Sequence, residues 1–199
     1  MTNTSATGGV LLPQQPYPLD DDQLDALIQG LVTACTGIDG SLVRPRWQAS
    51  PPKQPLVNVN WCAIGITGSS VDAGPVITYD PINNVGPYAR HETLDLVATF
   101  YGPNSKQYCA LLRDGLAIPQ NTDVLRANDM AYVSCGPIRT YPELVNEVWR
   151  KRQDMGVTLR RKVTRTYQIQ NIAIVAVDLI DDTVVNDSIV VPPGSPLEP

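Results

Sequence analysis

The sequence has a single histidine, and its four cysteines form no closely spaced pair. Cys35, Cys62, Cys109 and Cys135 lie far apart along the chain. Structural zinc sites usually draw on pairs of Cys or His ligands only a few residues apart, so this spacing disfavours a metal site. We therefore expect buried free thiols, with no bound metal and no cofactor.

The sequence also lacks a long apolar run. No segment approaches the roughly 20 apolar residues that a membrane-spanning helix needs. The N-terminal stretch "MTNTSATGGVLLPQQ" has neither the basic start nor the long apolar centre of a secretory signal peptide. We expect the chain to remain in the cytoplasm of the cell that makes it.

Catalytic motifs are absent as well. No G-x-S-x-G elbow, no G-K-[S/T] phosphate loop and no D-x-D-x-D-G calcium loop occurs in the sequence. The acidic run at residues 20–25 is typical of a solvated helix start. A catalytic triad would need His91 to meet a nucleophile and an acid through the fold. We predict that the protein is not an enzyme; the remaining alternative is a small cytoplasmic enzyme that uses Cys62 or Cys109 as nucleophile with His91.

Proline marks the limits of the folded part. Of 199 residues, 18 are proline, and many lie in "LLPQQPYP", "SPPKQP" and "VPPGSPLEP". Proline has no backbone N–H and cannot continue a helix or a central strand. A chain of this length can bury one sizeable core. We predict an N-terminal arm at 1–19, a single domain at 20–180 and a Pro-rich C-terminal tail at 181–199.

Two segments have the apolar spacing of amphipathic helices. The first, "DDDQLDALIQGLVTACTG", is expected to begin at Asp20 or Asp21 and to end at Gly37 or Gly40. The second, "GPNSKQYCALLRDGLAIPQN", is expected to begin near Asn104. A short helical piece, "NTDVLRAND", follows. The residues predicted to face the core are Leu24, Leu27, Ile28, Leu31 and Val32 in the first helix and Tyr108, Leu111, Leu112 and Leu116 in the second.

The remaining segments have strand character. "HETLDLVATFY" alternates most regularly, with Leu94, Leu96, Ala98 and Phe100 on one face. "LVNVNWCAIGIT" is predicted to align residues 57, 59, 61 and 63. The other candidates are "SLVRPRWQ", "GPVITYD", "MAYVSCGP", the basic segment described next and "IAIVAVDLI". Since strands and helices do not alternate, we predict an α+β fold: a mostly antiparallel or mixed sheet flanked by two to three helices.

One basic segment stands out in an acidic chain. The net charge is −5, yet seven of the 15 Lys and Arg residues lie between Arg150 and Arg165. In an extended strand, Arg161 and Arg165 share the apolar face of Val157, Leu159 and Val163. Arg160 and Lys162 lie on the opposite, polar face.

Three interpretations of this segment remain open. It is a solvated ridge that deters unwanted strand pairing, a nucleic-acid site, or a protein interface. Net acidity and the lack of a groove-reading motif disfavour nucleic acid. For the interface, acidic residues at 20–25 and 178–187 allow head-to-tail contacts between identical copies. The candidate partner-binding residues are Trp149, Arg150, Lys151, Arg152, Arg160, Arg161, Lys162, Arg165 and Tyr167.

Several stretches, taken in order, resemble the neck (tail) terminator family of tailed bacteriophages. The similarity extends from about residue 44 to residue 172. The stretches are "RPRWQ" with "PPKQP", "NWCAIGI", "HETLDL", "FYGPNS", "LLRDGLAIPQNTDVLR", "SCGPI", "ELVNEVWRKRQDM" and "LRRKVTRTYQIQNI".

The resemblance implies a structural protein of the virion at the junction of tail and neck. Members of this group cap the head-proximal end of the tail tube as a ring, usually a hexamer, and thereby end tube polymerisation and join the tail to the neck. The implied partners are further copies of the chain, the tail tube protein and the neck connector, with the tail sheath as a further candidate. DNA passes through the ring without being read. The rival interpretation is a head-completion or connector protein that seals the portal.

Overall fold

Residues 3–4, 7–80 and 85–169 are described by the structure, a computed structural model. These described residues form three α-helices and nine strands. The helices are α1 (Asp21–Thr36), α2 (Ser105–Leu116) and α3 (Asp123–Arg126). The strands are β1 (Val43–Pro45), β2 (Trp61–Val71), β3 (Val76–Ile77), β4 (Gly86–Tyr101), β5 (Met130–Cys135), β6 (Arg139–Thr140), β7 (Glu143–Val145), β8 (Val148–Arg150) and β9 (Arg152–Tyr167).

Seven of the strands form one mixed sheet in the order β1-β2-β4-β9-β5, with β3 beside β4 and β6 beside β9. Strand β1 is parallel to β2, whereas the β2–β4, β5–β9 and β6–β9 pairs are antiparallel. Strands β7 and β8 form a separate antiparallel hairpin. The predicted α+β fold with a mixed sheet and three helices is confirmed.

The hydrophobic core lies between helices α1 and α2 and one face of the sheet. The alternation predicted for β4 is confirmed, because Leu94, Leu96, Ala98 and Phe100 are all buried. The faces of the two helices are as predicted with one exception: Leu111 is exposed. The core-facing side of α2 instead includes Cys109, which lies one turn before Leu112.

The ends of α1 agree with the sequence signals. Asp20 is the N-terminal capping residue and has extended backbone angles. Gly37 ends the helix at φ 71°, and its N–H donates to the carbonyl oxygen of Thr33 at 2.8 Å. A left-handed residue at this position favours glycine, which has no Cβ to clash with the carbonyl.

Several strand predictions are corrected. Strand β2 begins only at Trp61, because residues 57–59 form a turn closed by a hydrogen bond from Val59 N–H to Leu56 O (3.0 Å). "SLVRPRWQ" contributes only the three residues of β1, and "GPVITYD" only the two of β3. Strands β6, β7 and β8 were not predicted. The predicted strand "IAIVAVDLI", the acidic residues 178–187 and the tail 181–199 lie outside the described residues.

The chain divides into two compact units. The larger consists of Pro16–Val76 and Ala89–Arg165 and contains the whole core described above. The smaller contains the described parts of Met1–Gln15, Ile77–Tyr88 and Thr166–Pro199; within it, Gln14 N–H donates to Thr166 O at 2.8 Å. The domain limits at residues 20 and 180 stay predictions. Among the described helices, none is long and apolar enough to cross a membrane.

Candidate interaction surface

The nine predicted partner-binding residues lie on β8, β9 and the residue between them, Lys151. Along β9, every second residue from Gln153 to Val163 is buried. This alternation puts Arg161 on the core face and Arg160 and Lys162 on the opposite face, as the sequence pattern predicts.

Arg161 is 9% exposed and binds partners within its own chain. Its Nη2 donates to Asp20 Oδ1 at 2.7 Å, its Nε to Glu92 Oε2 at 2.8 Å and its Nη1 to Leu19 O at 2.5 Å. Burial lowers the pKa of Arg161, but the hydrogen bonds to the two carboxylates outweigh burial and raise it. The contact joins the start of α1 to β4 and β9.

The sequence suggested that the acidic residues at 20–25 could contact another copy of the chain, but the carboxylate of Asp20 contacts its own chain. The side chain makes no capping hydrogen bond to α1, although the residue has the capping position. Its second oxygen, Oδ2, lies 3.5 Å from Arg165 Nη2. The carboxylate of Asp20 thus neutralises two members of the basic segment in the same chain.

Arg150 and Arg152 share one carboxylate, that of Glu143 on β7. Arg150 Nη2 lies 2.7 Å from Oε2, and Arg152 Nη1 lies 2.6 Å from Oε1. The side chain of Arg150 is 4% exposed, and its Nη1 also donates to Gln54 Oε1 at 3.1 Å. Burial raises the pKa of Glu143, but the two arginine hydrogen bonds outweigh it and hold the pKa below its ordinary value.

Arg152 has a second carboxylate partner in Asp154. Its Nε and Nη2 donate to the two oxygens of that carboxylate at 2.9 and 2.6 Å, which is the bidentate geometry that suits a guanidinium. The hydrogen bonds with Asp154 raise the pKa of Arg152, and those with Glu143 add to this against the opposing effect of burial. Arg152 is thus an internal contact rather than a free surface charge.

Aromatic rings also contact arginine side chains near the β7–β8 hairpin. The rings of Trp61 and Tyr101 stack with centroids 4.2 Å apart. The Arg150 guanidinium lies 4.6 Å from the Tyr101 centroid, and that of Arg44 lies 5.7 Å from the Trp61 ring. The Arg150 contact fastens the β7–β8 hairpin to the end of β4, and the Arg44 contact joins β1 to the start of β2.

On the outer face of the sheet, Arg160 binds Asp72. Its Nη2 lies 2.5 Å from Asp72 Oδ2, and its Nη1 donates to Thr93 Oγ1 at 3.4 Å. Five of the seven basic residues therefore have a carboxylate partner in the same chain. Among the described residues, Lys151 and Lys162 are the two members of the segment without one. Both are exposed.

Trp149 is 66% exposed and lies in an open groove of about 380 Å³. We call this the Trp149 groove. It is lined by Val57, Asn58, Gly102, Pro103, Val148, Trp149 and Lys151.

The shape of the Trp149 groove depends on two contacts. Lys151 Nζ donates to the carbonyl of Pro103 at 3.4 Å. Gly102 has φ 105°, and a Cβ there would meet Val59 O at 2.5 Å, so only glycine allows this close approach of the β4–α2 turn.

A second open groove, of about 420 Å³, lies beside the other exposed tryptophan. We call it the Trp47 groove; it is lined by Asp22, Asp25, Ala26, Gln29, Pro45, Trp47, Gln48 and Ala49. Trp47 is 64% exposed, and its Nε1 donates to Ile66 O at 3.2 Å. Burial, together with the charges of Asp22 and Asp21, raises the pKa of Asp25. The sequence pattern did not indicate this groove, although a tryptophan beside a Pro-rich loop is a usable signal for one.

The residues of the enzyme alternative are described too. Cys62 and Cys109 are fully buried, and burial raises the pKa of both thiols, that of Cys109 to about 12. His91 is exposed on β4. Reactive cysteines are accessible and have lowered pKa values, which neither thiol has. Among the described residues, no group of three or more His, Cys, Asp or Glu side chains is arranged to hold a metal ion.

The fold and these surfaces define a small α+β structural domain in which the basic strand is mostly neutralised from within and two tryptophan grooves stay open. A family model described as phage neck terminator protein matches residues 22–185, which include the core, both grooves and all nine predicted partner-binding residues. The chain belongs to this family, and it is accordingly a structural protein of the phage neck.

Two further comparisons were less informative. A chain in the solved structure titled "Virion of native gene transfer agent (GTA) particle" is 13% identical, with 72% of this chain and 99% of that chain covered and a TM-score of 0.29. A similarity this low supports no conclusion. No curated protein sequence matches the chain.

Proposed function

We propose that the protein forms a ring on the head-proximal end of the phage tail tube, where it ends tube polymerisation and joins the tail to the neck. The single observation behind this proposal is the family match over residues 22–185. We infer a hexamer from the family resemblance. The partners we propose are the tail tube protein, the neck connector and, in a contractile tail, the sheath.

We propose that the contact surface is centred on the exposed members of the predicted site. These are Trp149, Lys151 and Lys162, with Arg160 beside them on the outer face of β9. The other members would then act indirectly, since they fix the hairpin and strand that present the exposed side chains: buried Arg150 and Arg161 and half-buried Arg152, Arg165 and Tyr167. Tryptophan is among the residues most enriched at interaction hot spots.

DNA is proposed to pass the ring without specific binding. Retention of DNA requires clustered unpaired cations that displace counterions from phosphates. Within the described residues, intrachain carboxylates neutralise most of the basic segment. That arrangement favours free passage over binding.

The protein is proposed to have no catalytic activity. Burial of Cys62 and Cys109 raises both thiol pKa values, so neither is ionised near neutral pH. A structural role in the neck requires no chemistry at these thiols.

The proposed function is tested by the tail-length distribution, measured by electron microscopy, in lysates of phage with this gene deleted. We expect overlong tubes without heads, because nothing then stops polymerisation. A plasmid copy of the wild-type gene serves as the control and should restore normal length. Tails of normal length beside unattached, leaking heads would refute the terminator role and indicate a connector that seals the portal.

A further inference from the structure

We propose that neighbouring copies contact each other through the two grooves, so that the Trp149 groove of one copy packs against the Trp47 groove of the next. This inference rests on the proposed ring and names the surfaces that would build it. The occupant of each groove is therefore a second copy of this chain.

Exposure of the two tryptophans is the first argument. The chain has three tryptophans, and only Trp61 is buried. Trp47 and Trp149 keep about two thirds of their surface in solvent, at 64% and 66%. A buried tryptophan removes about 150–250 Å² from water and is the residue most enriched at interaction hot spots. Each groove thus has one large side chain whose burial against a partner would be favourable.

The two grooves have opposite charge, which is the second argument. Lys151 borders the Trp149 groove and has no carboxylate partner among the described residues. Asp22 and Asp25 line the Trp47 groove, and neither has a cation partner among the described residues. Burial raises the pKa of Asp25, and the neighbouring charges of Asp22 and Asp21 add to this. A lysine from the neighbouring copy would supply the missing charge.

The third argument is that the grooves are made from different elements. The hairpin β7–β8 and the β4–α2 turn form the Trp149 groove, whereas α1 and the loop after β1 form the Trp47 groove. A contact between two different surfaces is heterologous, and a heterologous contact repeats from copy to copy and closes into a ring when the rotation between copies permits. A two-fold dimer would instead use the same surface twice.

Both grooves are held in place before any contact forms. Trp47 is fixed by its hydrogen bond to Ile66 O. Trp149 lies in register opposite Leu144, next to Arg150 with its buried ion pair. Because the Trp47 side chain is already held, little of its conformational entropy is lost on association, and the exposed area converts more fully into affinity.

The test mixes two variants of the full-length chain, each with one groove disabled. The first is Trp149→Ala with Lys151→Glu, and the second is Trp47→Ala, which keeps Asp22 so that the two disabled grooves repel each other. Self-association is measured by analytical ultracentrifugation. Each variant alone should associate about 30-fold or more weakly than wild type, as expected for the loss of a hot spot. Mixed in equal amounts, the two should form one-to-one dimers and nothing larger, since a single intact contact remains.

A matched control changes the same kinds of residue outside both grooves. Val124→Ala with Lys106→Glu alters an exposed apolar side chain and an exposed lysine on other surfaces. This variant should associate like wild type. Circular dichroism of all three variants checks that they are folded. A further variant that has both Asp22→Lys and Lys151→Glu in the same chain should partly restore the association that Lys151→Glu weakens, because the exchange restores opposite charges across the contact.

Several results would overturn the inference: variants that still self-associate, a mixture without dimers, or wild-type protein that stays monomeric at its highest soluble concentration. An added neck protein binding the Trp149 groove in place of a second copy would also overturn it. Tail lengths in the deletion phage test the terminator role separately. Overlong tails with unaffected association of the variants would refute the groove contact alone, whereas normal tails with dimers in the mixture would refute only the terminator role.

Discussion

At the scale of single residues, two adjacent arginines have opposite environments. Arg161 is 10% exposed in its side chain and bound to two carboxylates, whereas Arg160 is 43% exposed and bound to an Asp72 that is itself half exposed. The alternation of β9 alone determines this difference. The pair therefore allows one change to be compared in two environments within the same strand.

We expect Arg161→Met to lower the free energy of unfolding by about 3–5 kcal/mol, because it leaves the nearly buried carboxylate of Glu92 without its counter-charge. Arg160→Met should cost about 1 kcal/mol or less, since exposed ion pairs contribute little. Urea denaturation measured by circular dichroism gives both values. Equal losses for the two variants would contradict the internal role of Arg161.

The sequence predicted the faces of these arginines but not their partners. Arg161 is 141 residues from Asp20 and 69 residues from Glu92, and Arg160 is 88 residues from Asp72. Strand periodicity is a local property, and it can be read directly from the residues. Which acid meets which base depends on the order of strands in the sheet, and that order is not a local property.

At the scale of elements, the β7–β8 hairpin has an unusual turn. Asn146 and Glu147 join Val145 to Val148, with φ angles of 48° and 62°. Two left-handed residues between paired strands form a type I′ turn, for which Asn-Gly is the preferred sequence. Asn tolerates the conformation, whereas a left-handed Glu costs about 1–2 kcal/mol.

We expect Glu147→Gly to stabilise the hairpin that presents Trp149. Hydrogen exchange of the amides that pair β7 with β8 should slow about fivefold or more, which corresponds to about 1 kcal/mol of local opening free energy. Asn146→Gly serves as the comparison and should have a smaller effect. Unchanged exchange in the Glu147 variant would show that the turn is not what limits hairpin stability.

A comparison of the helices and strands also shows which sequence patterns are sufficient to predict an element. The long alternating pattern of β4 and the apolar spacing of α1 were enough to predict both. Strands β7 and β8 have three residues each and a turn without glycine, so neither the period nor the turn signal was visible. The groove around Trp149 was consequently unpredicted, although Trp149 itself was named.

At the scale of the whole molecule, the charge distribution of the folded protein differs from the one that the order of residues along the chain suggests. The sequence shows a basic segment in an acidic chain, which suggests a cationic surface. Folding places carboxylates from β4, β7, β9, the start of α1 and the residue after β2 against that segment. Of the basic segment, Lys151 and Lys162 keep no carboxylate partner among the described residues, and Lys151 lies in the Trp149 groove.

The described core predicts how much of the chain is needed for folding. Every side chain in the buried cluster lies between Leu24 and Leu159, within the larger unit. We therefore expect a chain ending after Ile169 to unfold cooperatively, with a melting temperature within about 4 °C of the full-length value, equivalent to about 1 kcal/mol for a protein of this size. Thermal unfolding followed by circular dichroism measures this shift. The matched control ends after Leu159 and should not fold, because it removes the buried Arg161 and Val163 from β9. A much larger decrease in melting temperature on truncation after Ile169 would mean that "IAIVAVDLI" contributes a strand to the same core, as its β-branched composition predicts.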